Sequence, residues 1–136
     1  MIRITDLLPQ KPPMVMVDDI LGFENDVIYT QLEIRPDNIL VCDGLFLEGG
    51  MIEHLAQSYI LACYSKADSA DAGSAFLLGG VKKMCAYRYP KVGETIRSEV
   101  KRTLFAMGIH QLQGNVYLGD ELIFESTITV LQKTDE

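Results

Sequence analysis

Few side chains in this sequence can move a proton near neutral pH, and two of them are neighbours. In the stretch MIEHLAQ, Glu53 and His54 are adjacent, and Gln57 follows Glu53 by four positions. On a helix, Ile52 and Ala56 mark an apolar face and Glu53 projects about 100° further round. Glu53 therefore stands at the margin of the buried stripe, where a carboxyl group is a usable proton donor. Gln57, one turn on, is placed to orient it. The same glutamate would also serve as a first-turn acid complementing the helix dipole, and the pattern alone leaves both roles open. His54 projects away from the apolar stripe, which predicts a solvated or interface side chain. His110 lies inside an alternating run and is expected to be structural.

The rest of the chain offers little competing chemistry. There is no GxSxG, no HExxH and no phosphate-cradling glycine fingerprint; LGGVKK has two glycines without the P-loop spacing. Cys42, Cys63 and Cys85 are odd in number, widely spaced and without a CxxC. Neither a disulfide framework nor a zinc site follows, and the three are expected to be small buried residues. No metal and no cofactor are expected.

The elements that must position these residues can be read from periodicity. Pro9, Pro12 and Pro13 forbid a regular helix or central strand at the start. MVMVDDILGF reads as a short buried strand or extended segment. Val27 to Arg35 alternates, with Ile28, Leu32 and Ile34 on one face, as in a half-buried strand. A loop with turn residues at Pro36, Asp37, Asn38 and Gly44 follows. From Gly50 to Ser65 the spacing of Ile52, Leu55, Ala56, Tyr59 and Cys63 predicts the one long helix. KADSADAGSA is a polar linker, and the remainder is strands: FLLGGV, MCAYRY, TIRSEVKRTL, MGIHQLQGNVYL and ELIFESTITVL, the last two joined by a Gly119-Asp120 hairpin turn. One helix cannot cover both faces of so long a sheet. The simplest solution is an α+β fold, a curved antiparallel sheet wrapped around one long central helix, whose other face or edge needs a partner, most simply a second copy.

Composition narrows the function classes. A chain of 136 residues with 48% hydrophobic content fits one domain over residues 1–136. The net charge of −7 disfavours nucleic acid and anionic membrane surfaces as partners. No apolar run approaches a membrane span and no signal peptide core is visible, so the expected location is cytoplasmic.

Three blocks of the chain carry a resemblance. LLPQKPPMVMVDDIL resembles an opening motif in which Leu-Pro-His is followed by a basic residue, proline, an apolar run and aspartate. MIEHLAQS resembles a central-helix motif of glutamate, two variable positions and Ala-Gln. FLLGGVKKMCAYRYPKVGE resembles a strand pair with a Pro-x-x-Gly-Glu/Asp turn. Together they are similar to the hotdog-fold 3-hydroxyacyl-acyl-carrier-protein dehydratase family, in particular its aryl-polyene and flexirubin-type branch.

The resemblance implies elimination of water from a 3-hydroxyacyl thioester. In the family a histidine takes the C2 proton, a helix carboxylate protonates the departing hydroxyl, and helix-terminus amides polarise the thioester carbonyl. Carried over, the carboxylate maps to Glu53, the amides to Gly49 and Gly50, and Gln57 joins the substrate-binding set. The histidine maps to Gln10. An amide cannot act as a general base, and losing that base costs about 10²–10⁴ in rate. His54 projects the wrong way to replace it. The implied protein is thus a dehydratase-like subunit, weak or inactive alone, forming a homodimer or a heterodimer with a related dehydratase-like chain. A hotdog thioesterase using Glu53 and a purely non-catalytic partner subunit are the alternatives. Acyl carrier proteins are acidic, and Lys82, Lys83 and Arg88 open the cation-rich third of the chain where one would dock.

Overall fold

The computed structural model describes residue 8 and residues 11–65 and 74–134. Gln10 and most of the KADSADAGSA linker lie outside the described residues. The elements are β1 (Asp19–Glu24), β2 (Val27–Glu33), β3 (Val41–Cys42), β4 (Leu45–Phe46), α1 (Glu48–Ser65), β5 (Ser74–Ala86), β6 (Thr95–Ala106), β7 (Ile109–Leu118) and β8 (Glu121–Thr134). Six strands form one antiparallel sheet in the order β1-β2-β6-β7-β8-β5, and β3 pairs with β4 as a separate hairpin. One long helix against one antiparallel sheet is the α+β architecture the periodicity predicts, and it is the hotdog fold.

Alternation selects the inward face of each strand. Ile28, Thr30 and Leu32 of β2, Ile96, Ser98 and Val100 of β6, and Phe124, Ser126, Ile128 and Val130 of β8 are buried. They form the floor on which α1 lies. Three hairpins turn on two residues that both have positive φ: Asn25-Asp26, Asp43-Gly44 and Met107-Gly108. This is the type I′ geometry, whose twist matches the flanking strands. Gly119, at φ 58°, and Asp120 form the two-residue turn between β7 and β8, as expected.

Several local expectations change. FLLGGV and the first three residues of MCAYRY are not separate strands; both lie on β5, which ends at Ala86 and is bent by register shifts between Leu78 and Gly80 and between Lys82 and Cys85. The loop after β2 contains the β3–β4 hairpin. Strand β1 starts only at Asp19, although Met16 and Val17 before it are fully buried. Cys42 and Cys85 are exposed and Cys63 is half-buried. Their positions on the small hairpin and on the last strand of the sheet keep Cys42 and Cys85 away from the core, against the expectation that all three would be buried.

The start of α1 is set by close packing. Gly50 sits over the ring of Phe46, and a methyl group there would come within 2.4 Å of that ring. Phe46 is fully buried and cannot give way. Gly49, one residue earlier, faces open space. The two glycines therefore respond oppositely to alanine. Gly49→Ala is expected to stabilise by about 0.5 kcal/mol through helix propensity. Gly50→Ala is expected to destabilise by about 1–3 kcal/mol through overpacking. Urea midpoints of the two variants against the parent chain check both signs.

Candidate active site at the start of the central helix

From Gly50 to Ala62 every residue of α1 is buried except Glu53, which is half-buried. The helix is enclosed on nearly all sides, so a polar side chain on it must find an internal partner or face a gap in the enclosure. Glu53 is the residue at the gap. Its carboxylate receives a long hydrogen bond, 3.4 Å, from Gln57 Nε2.

Gln57 spends most of its hydrogen-bonding capacity elsewhere. Its Oε1 accepts the amide of Met16 at 2.6 Å, and its Nε2 donates to the carbonyl of Met14 at 2.8 Å. The side chain is fully buried. The structure therefore brings Gln57 and Glu53 together, while the main work of Gln57 is to clamp the segment that precedes β1.

His54 corrects the sequence reading. It is neither solvated nor available at the surface; it is fully buried. Nδ1 is 2.6 Å from the Met16 carbonyl and Nε2 is 2.6 Å from Ser98 Oγ. A carbonyl can only accept, so Nδ1 carries the proton and the Ser98 hydroxyl donates to Nε2. Burial lowers the His54 pKa to about 4, partly opposed by the Met16 carbonyl and by Asp18. The imidazole is neutral at pH 7 with both nitrogens occupied, and so cannot stand in for a missing base. The face judged polar is inward because the sheet wraps further round the helix than one apolar stripe requires.

A second buried link braces this one. Ser58 Oγ donates to the His54 carbonyl at 2.7 Å, which leaves the Thr30 hydroxyl to donate to Ser58 Oγ, also at 2.7 Å. Thr30 and Ser98 are direct cross-strand partners on β2 and β6. Neither was singled out from sequence as a site residue, yet each is a hydroxyl on the inward parity of an apolar strand, which is the available signal.

The first intrahelical bond of α1 runs from the Met51 amide to the Leu47 carbonyl at 3.1 Å. The amides of Glu48, Gly49 and Gly50 precede it, as helix starts require. Glu48 uses its own backbone amide and the hydroxyl of Tyr89, which donates at 2.7 Å, and both hold its carboxyl below the usual range. Gly49 is exposed and Gly50 is packed on Phe46. Lys82 and Lys83 are exposed at the register shift of β5, where Lys83 has φ 51°. Arg88 differs from them: its guanidinium meets Glu121 at 3.0 Å and Glu94 at 3.5 Å. It is a paired cation, unlike the two lysines with which the sequence grouped it.

Towards the other end of α1 a cleft of about 530 Å³ is lined by Phe23, Tyr59, Arg102, Phe105, His110 and Gln132 among others. Tyr59 donates to His110 Nδ1 at 2.5 Å, and His110 Nε2 donates to Gln132 Oε1 at 2.7 Å. Burial raises the Tyr59 phenol above its ordinary value. His110 is thus a buried cross-link between helix and sheet, in line with a structural role. Among the described residues, no helix is long and apolar enough to cross a membrane.

Comparison with known proteins identifies the family and the fold. A family model described as ApeP-like, ApeP dehydratase, matches residues 2–136. A curated relative, the 3-hydroxyacyl-[acyl-carrier-protein] dehydratase FabZ of Natranaerobius thermophilus, is 27% identical over 131 residues, covering 93% of this chain and 92% of its own. Among solved structures, the dehydratase heterocomplex ApeI:P from Xenorhabdus doucetiae aligns with a TM-score of 0.81 at 16% identity, over 99% of this chain and 93% of that one. A hypothetical thioesterase with coenzyme A from Streptococcus pneumoniae TIGR4 aligns at 0.63 and 8% identity, over 87% of each chain. At such identities the structural likenesses speak to the fold.

The neutral buried imidazole makes stability depend on acid. The unfolded chain binds a proton at His54 near pH 6.5, whereas the folded chain resists it down to about 4. Stability from this group is complete above pH 6.5 and is lost as pH falls between those values. The loss by pH 5 is about 2 kcal/mol. Urea unfolding at pH 7 and pH 5 is expected to show this loss beyond that of His54→Asn, which cannot titrate. Equal pH dependence of the two chains would contradict the buried neutral state.

Proposed function

The chain belongs to the ApeP-like dehydratase family, and from that premise we propose that it is the subunit of a two-chain 3-hydroxyacyl thioester dehydratase in which Gln10 replaces the general-base histidine. In this reading it binds an acyl group presented on an acyl carrier protein, in fatty-acid or polyene biosynthesis, and lends Glu53 to a site shared with a related chain. The observation that carries the reading is Glu53, the single half-buried position in an otherwise buried stretch of helix. A carboxyl group held there, beside helix amides that precede the first intrahelical bond, suits protonation of a leaving hydroxyl next to a polarised carbonyl.

The proton balance requires a second chain. Elimination removes a proton from C2 of the acyl group, forms the C2–C3 double bond, and expels the C3 hydroxyl as water after it receives a proton. Glu53 supplies the second proton. Gln10, aligned with the family's histidine, cannot accept the first. An imidazole of the partner chain completes the cycle and returns the proton to Glu53 through solvent. A homodimer would contain no such base.

Strand β5 supports a partner of this kind. Among the described residues it pairs with β8 alone and ends the sheet. Leu77, Leu78, Val81 and Met84 on it are exposed. Leu77, Leu131 and Ile109 extend this apolar character as one cross-strand row. A free strand edge with apolar side chains is suited to pairing with a second chain.

Activity on a 3-hydroxyacyl thioester is expected to be negligible for this chain alone and to appear in complex with a histidine-bearing dehydratase chain. Glu53→Gln in the complex is expected to cut turnover by about 10²–10⁴. A complex whose turnover ignores Glu53→Gln would make this chain a non-catalytic partner. Release of free thiol in place of dehydration would make it a thioesterase.

Lys82 and Lys83 support docking of the acidic carrier, with Arg88 in a lesser role because it is already paired. Reversing both lysines to glutamate is expected to weaken carrier affinity about tenfold at low salt, and less at high salt. Unchanged affinity at low salt would remove this patch from the docking surface.

A further inference from the structure

We infer that His54 is a positioning residue: with Gln57 it fastens the backbone of residues 14–16 to the start of α1, and so sets the rotation at which Glu53 meets the gap. The inference rests on the reading of Glu53 as the proton donor and extends it to the adjacent residue.

Three hydrogen bonds make the latch. His54 Nδ1 donates to the Met16 carbonyl at 2.6 Å, Gln57 Oε1 accepts the Met16 amide at 2.6 Å, and Gln57 Nε2 donates to the Met14 carbonyl at 2.8 Å. Both polar groups of one peptide residue are thus held by two side chains three positions apart on the helix. Residues so spaced lie on one face, so only one rotation and height of the helix satisfies both. Glu53 is fixed by that same rotation. It points to the gap because its neighbour, about 100° away, points to the segment.

The latch is braced from the sheet. Ser98 on β6 holds the far nitrogen of His54 at 2.6 Å. Thr30, paired with Ser98, holds Ser58 at 2.7 Å, and Ser58 in turn bonds the His54 carbonyl. From Met14 the chain turns through a 2.8 Å bond between the Met14 amide and the Lys11 carbonyl. Lys11 Nζ reaches the Leu8 carbonyl at 3.4 Å, and Leu8 is buried in the core. The described residues on both sides of position 10 are therefore anchored, and the side nearer β1 is anchored through His54.

The two nitrogens of His54 can be tested apart. Asparagine reproduces the Nδ1 donor and leaves Ser98 unpartnered. Glutamine reaches towards Ser98 and abandons the Met16 carbonyl. Amide hydrogen exchange on the full chain is expected to quicken at Met16 and Val17 by about tenfold in His54→Gln, the loss expected from one hydrogen bond, with β6–β7 amides unchanged. His54→Asn and Ser98→Ala are expected to stay near the parent rate at Met16. Equal acceleration in His54→Asn and His54→Gln, or acceleration in step with β6–β7, would overturn the latch.

The parent chain provides a check that needs no variant. Nitrogen NMR is expected to report a protonated Nδ1 and a bare Nε2 on His54, without titration from about pH 7 to 5. A titrating His54 or the opposite tautomer would overturn the inference. In complex with a histidine-bearing dehydratase chain, His54→Gln is expected to lower kcat with KM nearly constant, and His54→Asn to restore it. Turnover there that is indifferent to Glu53 would sink the dehydratase reading alone, since the exchange and NMR results judge the latch without any chemistry.

Discussion

A helix enclosed by a sheet has almost no access to water, and that constraint governs the rest of this molecule. Between Gly50 and Ala62 the helix carries three buried polar side chains, His54, Gln57 and Ser58. Each lost hydrogen bond there would cost about 1–3 kcal/mol. The chain meets the constraint by placing hydroxyls on the inward faces of two paired strands, at Thr30 and Ser98, and by turning the backbone of Met14 and Met16 towards the helix. Every bond in this set has one consistent donor and acceptor assignment. The set ties the segment before β1, the helix and the middle of the sheet into one unit.

Against that background Glu53 stands out by what it lacks. Its neighbours are fully enclosed and satisfied by short bonds, while it is half-buried and receives one long one. A carboxyl group so placed, in a member of the ApeP-like dehydratase family, suits proton donation to a ligand better than support of the fold. The histidine beside it has the opposite character. His54 is the more reactive residue type on paper, yet both nitrogens are consumed by structure. Chemical potential in a side chain therefore follows from its surroundings, and under the proposed function these two adjacent residues divide reaction and architecture between them.

Most of the fold was legible because its signals are local. Period-two runs marked β2, β6, β7 and β8, and the spacing from Ile52 to Cys63 marked the helix. The β5 strand was read as two pieces divided at Lys82-Lys83, and the register shift between Lys82 and Cys85 that carries the strand through that point depends on β8. The candidate carboxylate was legible as the acid at the margin of an apolar stripe. His54 was misread because a single stripe says nothing about how far a sheet curls around a helix. The partnership of Gln57 with Met14 and Met16 spans about forty positions, and no periodicity reports a contact of that range. The buried bonds of His54 and Ser58 did leave a hint in Thr30 and Ser98, hydroxyls in rows otherwise reserved for aliphatic residues. Arg88 shows the converse limit, since its two carboxylate partners are brought to it only by the packed chain.

The strand order carries a consequence for synthesis. Strand β8 lies between β7 and β5, so β5 is hydrogen-bonded in the sheet only through residues 121–134. A ribosome making this chain releases β5 some forty residues before that partner exists. Until then its thirteen residues, which include Phe76, Leu77, Leu78, Val81 and Met84, have no ladder to join among the described strands. Strands β1, β2, β6 and β7 can pair without β8, whereas β5 takes its place in the sheet only once β8 has been made.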